Sequence, residues 1–305
     1  MNRDKGLAKK FLRAYYGLDT WHEFWLLRWE RIARTFHNYK EYYSEEHHRR
    51  LSEKFTADDC IKIKDVKLPL LDAEHSELFF NCVFEDTFAS YYYFDDRNDE
   101  EFFKKYDPLL NEGSYALKND KVKVEVNPGD VVIDAGSWIG DFAAYASVRG
   151  ATVFAFEPSE QNFKYLQQTA ELNKNIFPVR KGLSDKTAEQ KFFIFTQGNS
   201  GGDSFSDRSN DERFQAASDL VETTTLDDFV KERNLERVDF IKSDIEGFER
   251  KMLAGAQETL KKFAPKLALC TYHLPDDPEV MSKLIMQANP NYKIVFGRKK
   301  LYASV

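Results

Sequence analysis

The stretch "VVIDAGSWIGDFAAYASVRG", residues 131–150, limits this chain more than any other. A short apolar run ends at Gly136, a second glycine follows at Gly140, and a helical period runs on to Gly150. A buried strand that turns through glycines into a helix opens a βαβ unit, and such units build a parallel sheet covered on both faces. The pattern recurs. "TVFAFEP" (152–158) reads as a second strand, "SEQNFKYLQQTAELN" (159–173) as a helix with Ser159 at its N-cap, and "FPVRKGLSD" (177–185) as a third strand. "VDFIKSD" (238–244) reads as the fourth strand, followed by a helix over 248–263 and the strand "KLALCTYH" (266–273). A helix in "DDPEVMSKLIMQANP" precedes "YKIVFG" and "KKLYASV", which read as an antiparallel pair.

The α/β texture begins after "NPGD" (127–130), a turn signal. Residues 113–305 are therefore assigned to one α/β domain, and residues 1–112 to a mostly helical, aromatic-rich appendage or cap. Thr20 and Glu23 form a capping box before an apolar stripe at Trp25, Trp29, Ile32 and Phe36. The segment 84–107 mixes aromatics with acids. Between the third and fourth strands, "KFFIFT" and "LVETTTL" frame the polar loop "QGNSGGDSFSDRSNDERF", which reads either as a lid or as solvated surface. Thr225 and Asp228 stand at capping spacing before the short helix "LDDFVKERN".

Composition narrows the function classes. No apolar run reaches the roughly 18 residues of a membrane span, and the N-terminal residues lack a secretory signal's apolar core. Cys60, Cys82 and Cys270 are too scattered for a disulfide framework or a zinc site, so a reducing cytoplasm is expected. The net charge of −7 argues against a protein that works by gripping a nucleic-acid backbone.

The turn "DAGSWIGD" has glycines spaced G-x-x-x-G, preceded by Asp134. A dinucleotide site uses G-x-G-x-x-G so that a pyrophosphate can approach the helix N-terminus, and that pattern is absent. Glu157, about 20 residues on at the end of the second strand, is placed to accept hydrogen bonds from ribose hydroxyls. Acidic strand ends around a glycine turn with no phosphate cradle suit a nucleoside without phosphates and with a cationic tail. S-adenosylmethionine is such a ligand.

"GDVVIDAGSWIGDFAAYASVRGATVFAFEP", "TTLDDF", "VDFIKSDIEGFERKMLAGAQETL" and "CTYH" together resemble the FkbM-type S-adenosylmethionine-dependent methyltransferases. The resemblance spans roughly residues 113–305, and its most specific element runs from Ile241 to Glu249. It implies the class I methyltransferase sheet, Rossmann-like, of seven strands with the last antiparallel. It also implies O-methylation of a hydroxyl on a sugar, glycan or secondary metabolite. The implied cofactor positions are Asp134, Gly136, Ser137, Trp138, Gly140, Glu157 and Pro158, with Ser184 and Asp185 at the adenine edge. Two residues depart from the family pattern: Trp138, which would narrow the site, and Ser243, a hydroxyl where an aliphatic residue is usual.

"SDIEGFE" (243–249) then carries the acidic residues Asp244, Glu246 and Glu249 just past the fourth strand. Asp244 is expected beside the cofactor's charged end, and Glu249 is expected to pair with Lys242 as a structural brace. His273, Glu246 and Asp244 are the candidates to take the acceptor's proton, with His273 ranked first because imidazole titrates near neutrality. Asp244, Glu246 and His273 could also hold a divalent metal, but they have no fixed ligand spacing, so none is assigned. The expected acceptor is a small molecule or glycan. Self-association through the N-terminal region, and a non-catalytic binding module on the same fold, are the remaining expectations.

Overall fold

The computed structural model of the chain describes residues 49, 51–88, 115–196, 201–297 and 299–305. Its centre is a sheet of β1 (Val131–Ala135), β2 (Thr152–Phe156), β3 (Ile176–Val179), β4 (Phe240–Ser243), β5 (Lys266–Cys270), β6 (Lys293–Phe296) and β7 (Lys300–Ser304). Across the sheet the order is β6-β7-β5-β4-β1-β2-β3. Strands β1 to β5 pair in parallel, and β7 runs antiparallel between β5 and β6. This is the seven-stranded class I methyltransferase sheet.

Side-chain alternation explains why these strands look continuously apolar. Val132, Phe240, Ala268 and Tyr302 pack into one buried cluster, while Ile133, Ile241, Leu267 and Ala303 belong to another. Both faces are covered, so β1 and β4 are apolar on both sides except at Asp134, Lys242 and Ser243. The covering helices are α1 (Asp141–Val148), α2 (Glu160–Leu172), α3 (Leu226–Glu232), α4 (Glu249–Ala254), α5 (Gln257–Phe263) and α6 (Asp277–Ala288).

Three local readings are corrected. The third strand ends at Val179, and Gly182–Leu183 pairs instead with Val221–Thr224 in a small separate sheet. The expected helix over 248–263 is two helices broken at Gly255, where an added Cβ would lie 2.1 Å from the Ser184 carbonyl oxygen. The second of them starts on Asp227, whose carboxylate accepts from the Glu258 and Thr259 amides at 3.0 and 2.8 Å. Ser159 occupies the N-cap position of α2, but its side chain does not cap the helix. Its hydroxyl lies by the Asp203 carboxylate instead and favours that group's charge. Thr225 does cap α3, accepting from the Asp228 amide at 2.9 Å.

The described residues before 113 include a helical stretch at 51–55, a hairpin (Ile61–Ile63 and Val66–Leu68), a short helix (Ala73–Leu78) and a π-helix (Phe79–Phe88). Leu51, Phe55, Ile63, Phe79 and Phe84 share one core cluster with Val132 and Phe142, so this segment packs directly on the α/β unit. The capping box at Thr20, the stripe from Trp25 to Phe36 and residues 89–107 lie outside the described residues. Among the described residues no helix is long and apolar enough to cross a membrane.

Candidate active site

The turn after β1 is built around Gly136, at φ +74°. An added Cβ there would lie 1.9 Å from the Asp244 carbonyl oxygen, so the turns after β1 and β4 touch through bare backbone. The amides of Gly136 and Ser137 both donate to the Phe156 carbonyl, at 3.0 and 2.9 Å. Gly140, also at positive φ, faces Leu166 and Thr169 of α2 and does not line the cavity; it lets α1 and α2 approach. Ser137 is buried and turns its hydroxyl back to the Asp134 carbonyl at 3.0 Å.

Glu157 closes the far side of this turn. One carboxylate oxygen accepts from the Trp138 amide at 2.9 Å, the other from the Ser159 amide at 2.8 Å. Burial, joined by the nearby Asp203 charge, pushes its carboxyl up to about 8, against the two amide bonds. Asp203 is itself raised to about 6, first by burial. Trp138 sits at φ +49° with its ring stacked 5.8 Å from that of His75. His75 contacts Asn162 at 3.0 Å, so the N-terminal segment reaches this wall of the site.

Asp134 does not face the cavity. It is fully buried and lies 3.1 Å from Lys242 Nζ, its register partner on β4. Lys242 also donates to the Gly136 carbonyl at 2.6 Å. Burial opposes its charge, but Asp134, Asp244 and Asp141 outweigh burial and hold the ammonium well above its ordinary range. The expected Lys242–Glu249 brace is thus corrected. Glu249 accepts from the Ile245 and Gly247 amides at 2.9 and 3.1 Å, tying down its own turn, and it approaches His273 instead.

Asp244 receives the Tyr272 hydroxyl at 3.0 Å and the Tyr115 hydroxyl at 3.3 Å. Burial would raise its carboxyl, yet the charges of Lys242, His273 and Lys300 keep it below the usual range. Glu246 adopts φ +52°, and its carbonyl accepts from the hydroxyls of Ser204 and Ser206 at 2.7 and 3.3 Å. His273 stands among three acids: Glu249 at 3.2 Å, Asp244 at 3.5 Å and Glu246 at 3.6 Å. Burial disfavours its charge, but the contacts with Glu246 and Glu249 and the charges of Glu249 and Asp244 prevail, raising it to about 11. An imidazolium cannot accept a proton, which weighs against His273 as the first-choice base. Ser243 is wholly buried with its hydroxyl unpaired by any hydrogen bond.

These elements line a cavity, partly open to solvent, at the carboxyl ends of β1, β2 and β4. That is where open α/β sheets hold ligands. Gly136, Trp138, Glu157 and Pro158 line it, together with Asp244 and Glu246. Ser184 and Asp185 fall beyond its wall, which Lys181, Gly182 and Leu183 supply, because the chain has by then entered the small sheet. The polar loop contributes Gly201, Asp203, Ser204 and Phe205 to the lining. Phe205 packs on Gly182, Phe192 and Phe248. Asp203, Phe205, Tyr115 and Tyr272 were not legible as site residues. A Gly/Ser/Asp-rich loop and isolated tyrosines carry no local signal of the tertiary contact they make.

A methyltransferase FkbM domain model matches residues 133–294, more than half of the chain. The chain belongs to the FkbM methyltransferase family. Among FkbM relatives, it is 27% identical over 171 residues to the hexuronic acid methyltransferase AglP of Haloferax volcanii, covering 56% of this chain and 67% of that protein. It is 29% identical over 164 residues to the 31-O-demethyl-FK506 methyltransferase FkbM of Streptomyces tacrolimicus, covering 44% of this chain and 62% of that one. A solved FkbM methyltransferase from Methylobacillus flagellatus aligns at 18% identity and a TM-score of 0.46, over 85% of this chain and 58% of that chain.

Proposed function

We propose that this FkbM-family chain is an S-adenosylmethionine-dependent methyltransferase acting on an oxygen of a sugar, glycan or related secondary metabolite. One observation carries the reading: Glu157 and the Asp244–Glu246 turn line one and the same cavity. The donor set fits the cofactor. Glu157 keeps lone pairs for a ribose diol beyond those used by Trp138 and Ser159. Leu183, Phe205 and Ile245 offer apolar walls for a flat base, and the ionised Asp244 suits a cationic methionine end.

When bound, S-adenosylmethionine supplies an electrophilic methyl group. The chain's part is to hold the acceptor oxygen in line and to take its proton. Positioning alone can supply much of the acceleration of a displacement. Glu246 is the proton acceptor in this reading: it lines the cavity, and its backbone is fixed by Ser204 and Ser206. Asp244 is oriented by two tyrosine hydroxyls and serves the cofactor's charge. The relatives' acceptors, a hexuronic acid and an FK506 precursor by their names, support an oxygen acceptor on a small molecule. The net charge of −7 supports it over a nucleic acid.

The test is calorimetric binding of S-adenosylhomocysteine, then mass spectrometry of uronic acids and a glycan extract incubated with methyl-labelled S-adenosylmethionine. A labelled methyl ether or ester is the expected product. Absence of S-adenosylhomocysteine binding would refute the cofactor assignment. Binding without transfer to any acceptor would favour a non-catalytic module.

A further inference from the structure

We propose that Asp203 is a second cofactor-binding carboxylate, set beside Glu157 to accept one hydroxyl of the ribose diol while Glu157 accepts the other. The inference rests on the S-adenosylmethionine reading of the cavity. Both acids line that cavity. They flank one residue: the Ser159 amide donates to Glu157 at 2.8 Å, and the Ser159 hydroxyl lies by the Asp203 carboxylate. Asp203 is firmly held. Its Oδ1 accepts from the Phe195 amide at 2.9 Å. The next residue, Ser204, exchanges two backbone bonds with Phe193, at 2.8 and 2.9 Å, and its hydroxyl reaches the Glu246 carbonyl at 2.7 Å. A carboxylate fixed in this way meets a ligand with little ordering cost.

The charges around Asp203 favour a ligand-binding role over a structural one. Among the described residues it forms no ion pair. Burial, followed by the charges of Glu74 and Glu246, raises its carboxyl to about 6, against the bonds from Phe195 and Ser159. Its own charge adds to the burial that raises Glu157. Lys181, the one cation among the described lining residues, is engaged by Glu222 at 3.1 Å. An asparagine would accept from the Phe195 amide and the Ser159 hydroxyl as a carboxylate does, without the repulsion. A carboxylate here therefore costs the fold and adds nothing that folding needs. Acids crowded into a cavity with no counter-ion mark a place where polar hydrogens of a ligand are wanted. A ribose diol brings two of them to two adjacent carboxylates.

The test is calorimetry of S-adenosylhomocysteine and of its 2′-deoxy and 3′-deoxy forms against the full chain and against Asp203→Asn, with thermal melts of both proteins. The melting temperature of Asp203→Asn should hold or rise, while S-adenosylhomocysteine binding weakens about tenfold. Loss of one of the two hydroxyls should cost the unaltered chain about tenfold in affinity and the variant less than about threefold. Unchanged affinity in Asp203→Asn would overturn the proposal, as would equal losses for both deoxy forms in the two proteins. A lower melt with affinity reduced alike for all three ligands would make Asp203 a structural residue and overturn it too. If the unaltered chain binds no S-adenosylhomocysteine, the cofactor reading falls and this inference with it. Binding that ignores Asp203 sinks this inference alone.

Discussion

Lys242 and Asp134 face each other across neighbouring parallel strands, 3.1 Å apart, with neither side chain more than 5% exposed. A buried ion pair adds little net stability, because desolvation offsets attraction, but half of one is costly. Lys242→Met or Asp134→Leu alone should lose about 3–5 kcal/mol in urea unfolding. The double replacement should recover more than half of that loss. Equal and additive losses would show that the two charges do not depend on each other.

Gly136 should tolerate no side chain. Gly136→Ala would drive a Cβ to 1.9 Å from the Asp244 carbonyl at a backbone angle of +74°. The expected result is a severe drop in melting temperature and no S-adenosylhomocysteine binding. Gly129→Ala is the control: it has a similar angle, +83°, but nothing within 4 Å. It should cost only about 1 kcal/mol.

Cofactor binding should release a proton from Glu157. Its carboxyl, raised to about 8, is protonated at pH 6 in the ligand-free protein, and ribose hydroxyls favour the ionised form. Affinity for S-adenosylhomocysteine should therefore rise from pH 6 to above pH 8, with proton release visible in calorimetry in two buffers. Glu157→Gln should flatten that dependence and weaken binding by about 2 kcal/mol. Stability has the opposite sign. A folded-state value above the unfolded one means a contribution fully present below about 4.5 and lost as pH climbs through about 8. The ligand-free melting temperature should fall across that window, and less so in Glu157→Gln.

Glu246→Gln should separate binding from turnover. Turnover should fall by about 10²–10⁴ with S-adenosylhomocysteine affinity nearly unchanged. A matching loss in both would move Glu246 into the cofactor site.

The loop that carries Ser204 and Ser206 should be loosened by removing their hydroxyls. Ser204→Ala with Ser206→Ala deprives the Glu246 carbonyl of both hydroxyl donors. Each such bond is worth about 1 kcal/mol, so KM for the cofactor should rise severalfold while the global melt barely moves. An unchanged KM would make the loop a bystander.

The strand–glycine–helix grammar of residues 131–173 was legible because both faces of a parallel strand are buried, which leaves a local apolar run. Glu157 was legible from its distance to the glycine turn. What was not legible depended on partners remote in sequence. Glu249 stood near Lys242 in the chain, but the true partner, Asp134, comes from the adjacent strand and is fixed only by register. His273 was placed with Asp244 and Glu246 at one end of the sheet but was ranked by the ordinary imidazole pKa. Its protonation follows from three carboxylates that reach it only once β4 and β5 lie side by side. Phe205 lines the cavity from a segment whose composition left open whether it met the site or only solvent.

Glu157 is both a candidate ligand contact and a staple between two loops, since its oxygens fasten the amides of Trp138 and Ser159. Selection for folding alone would retain it. A descendant of this chain that had abandoned catalysis would still display the acidic strand end by which such sites are recognised. Its presence in a sequence is thus a record of architecture first, and a poor instrument for telling a working enzyme from a retired one.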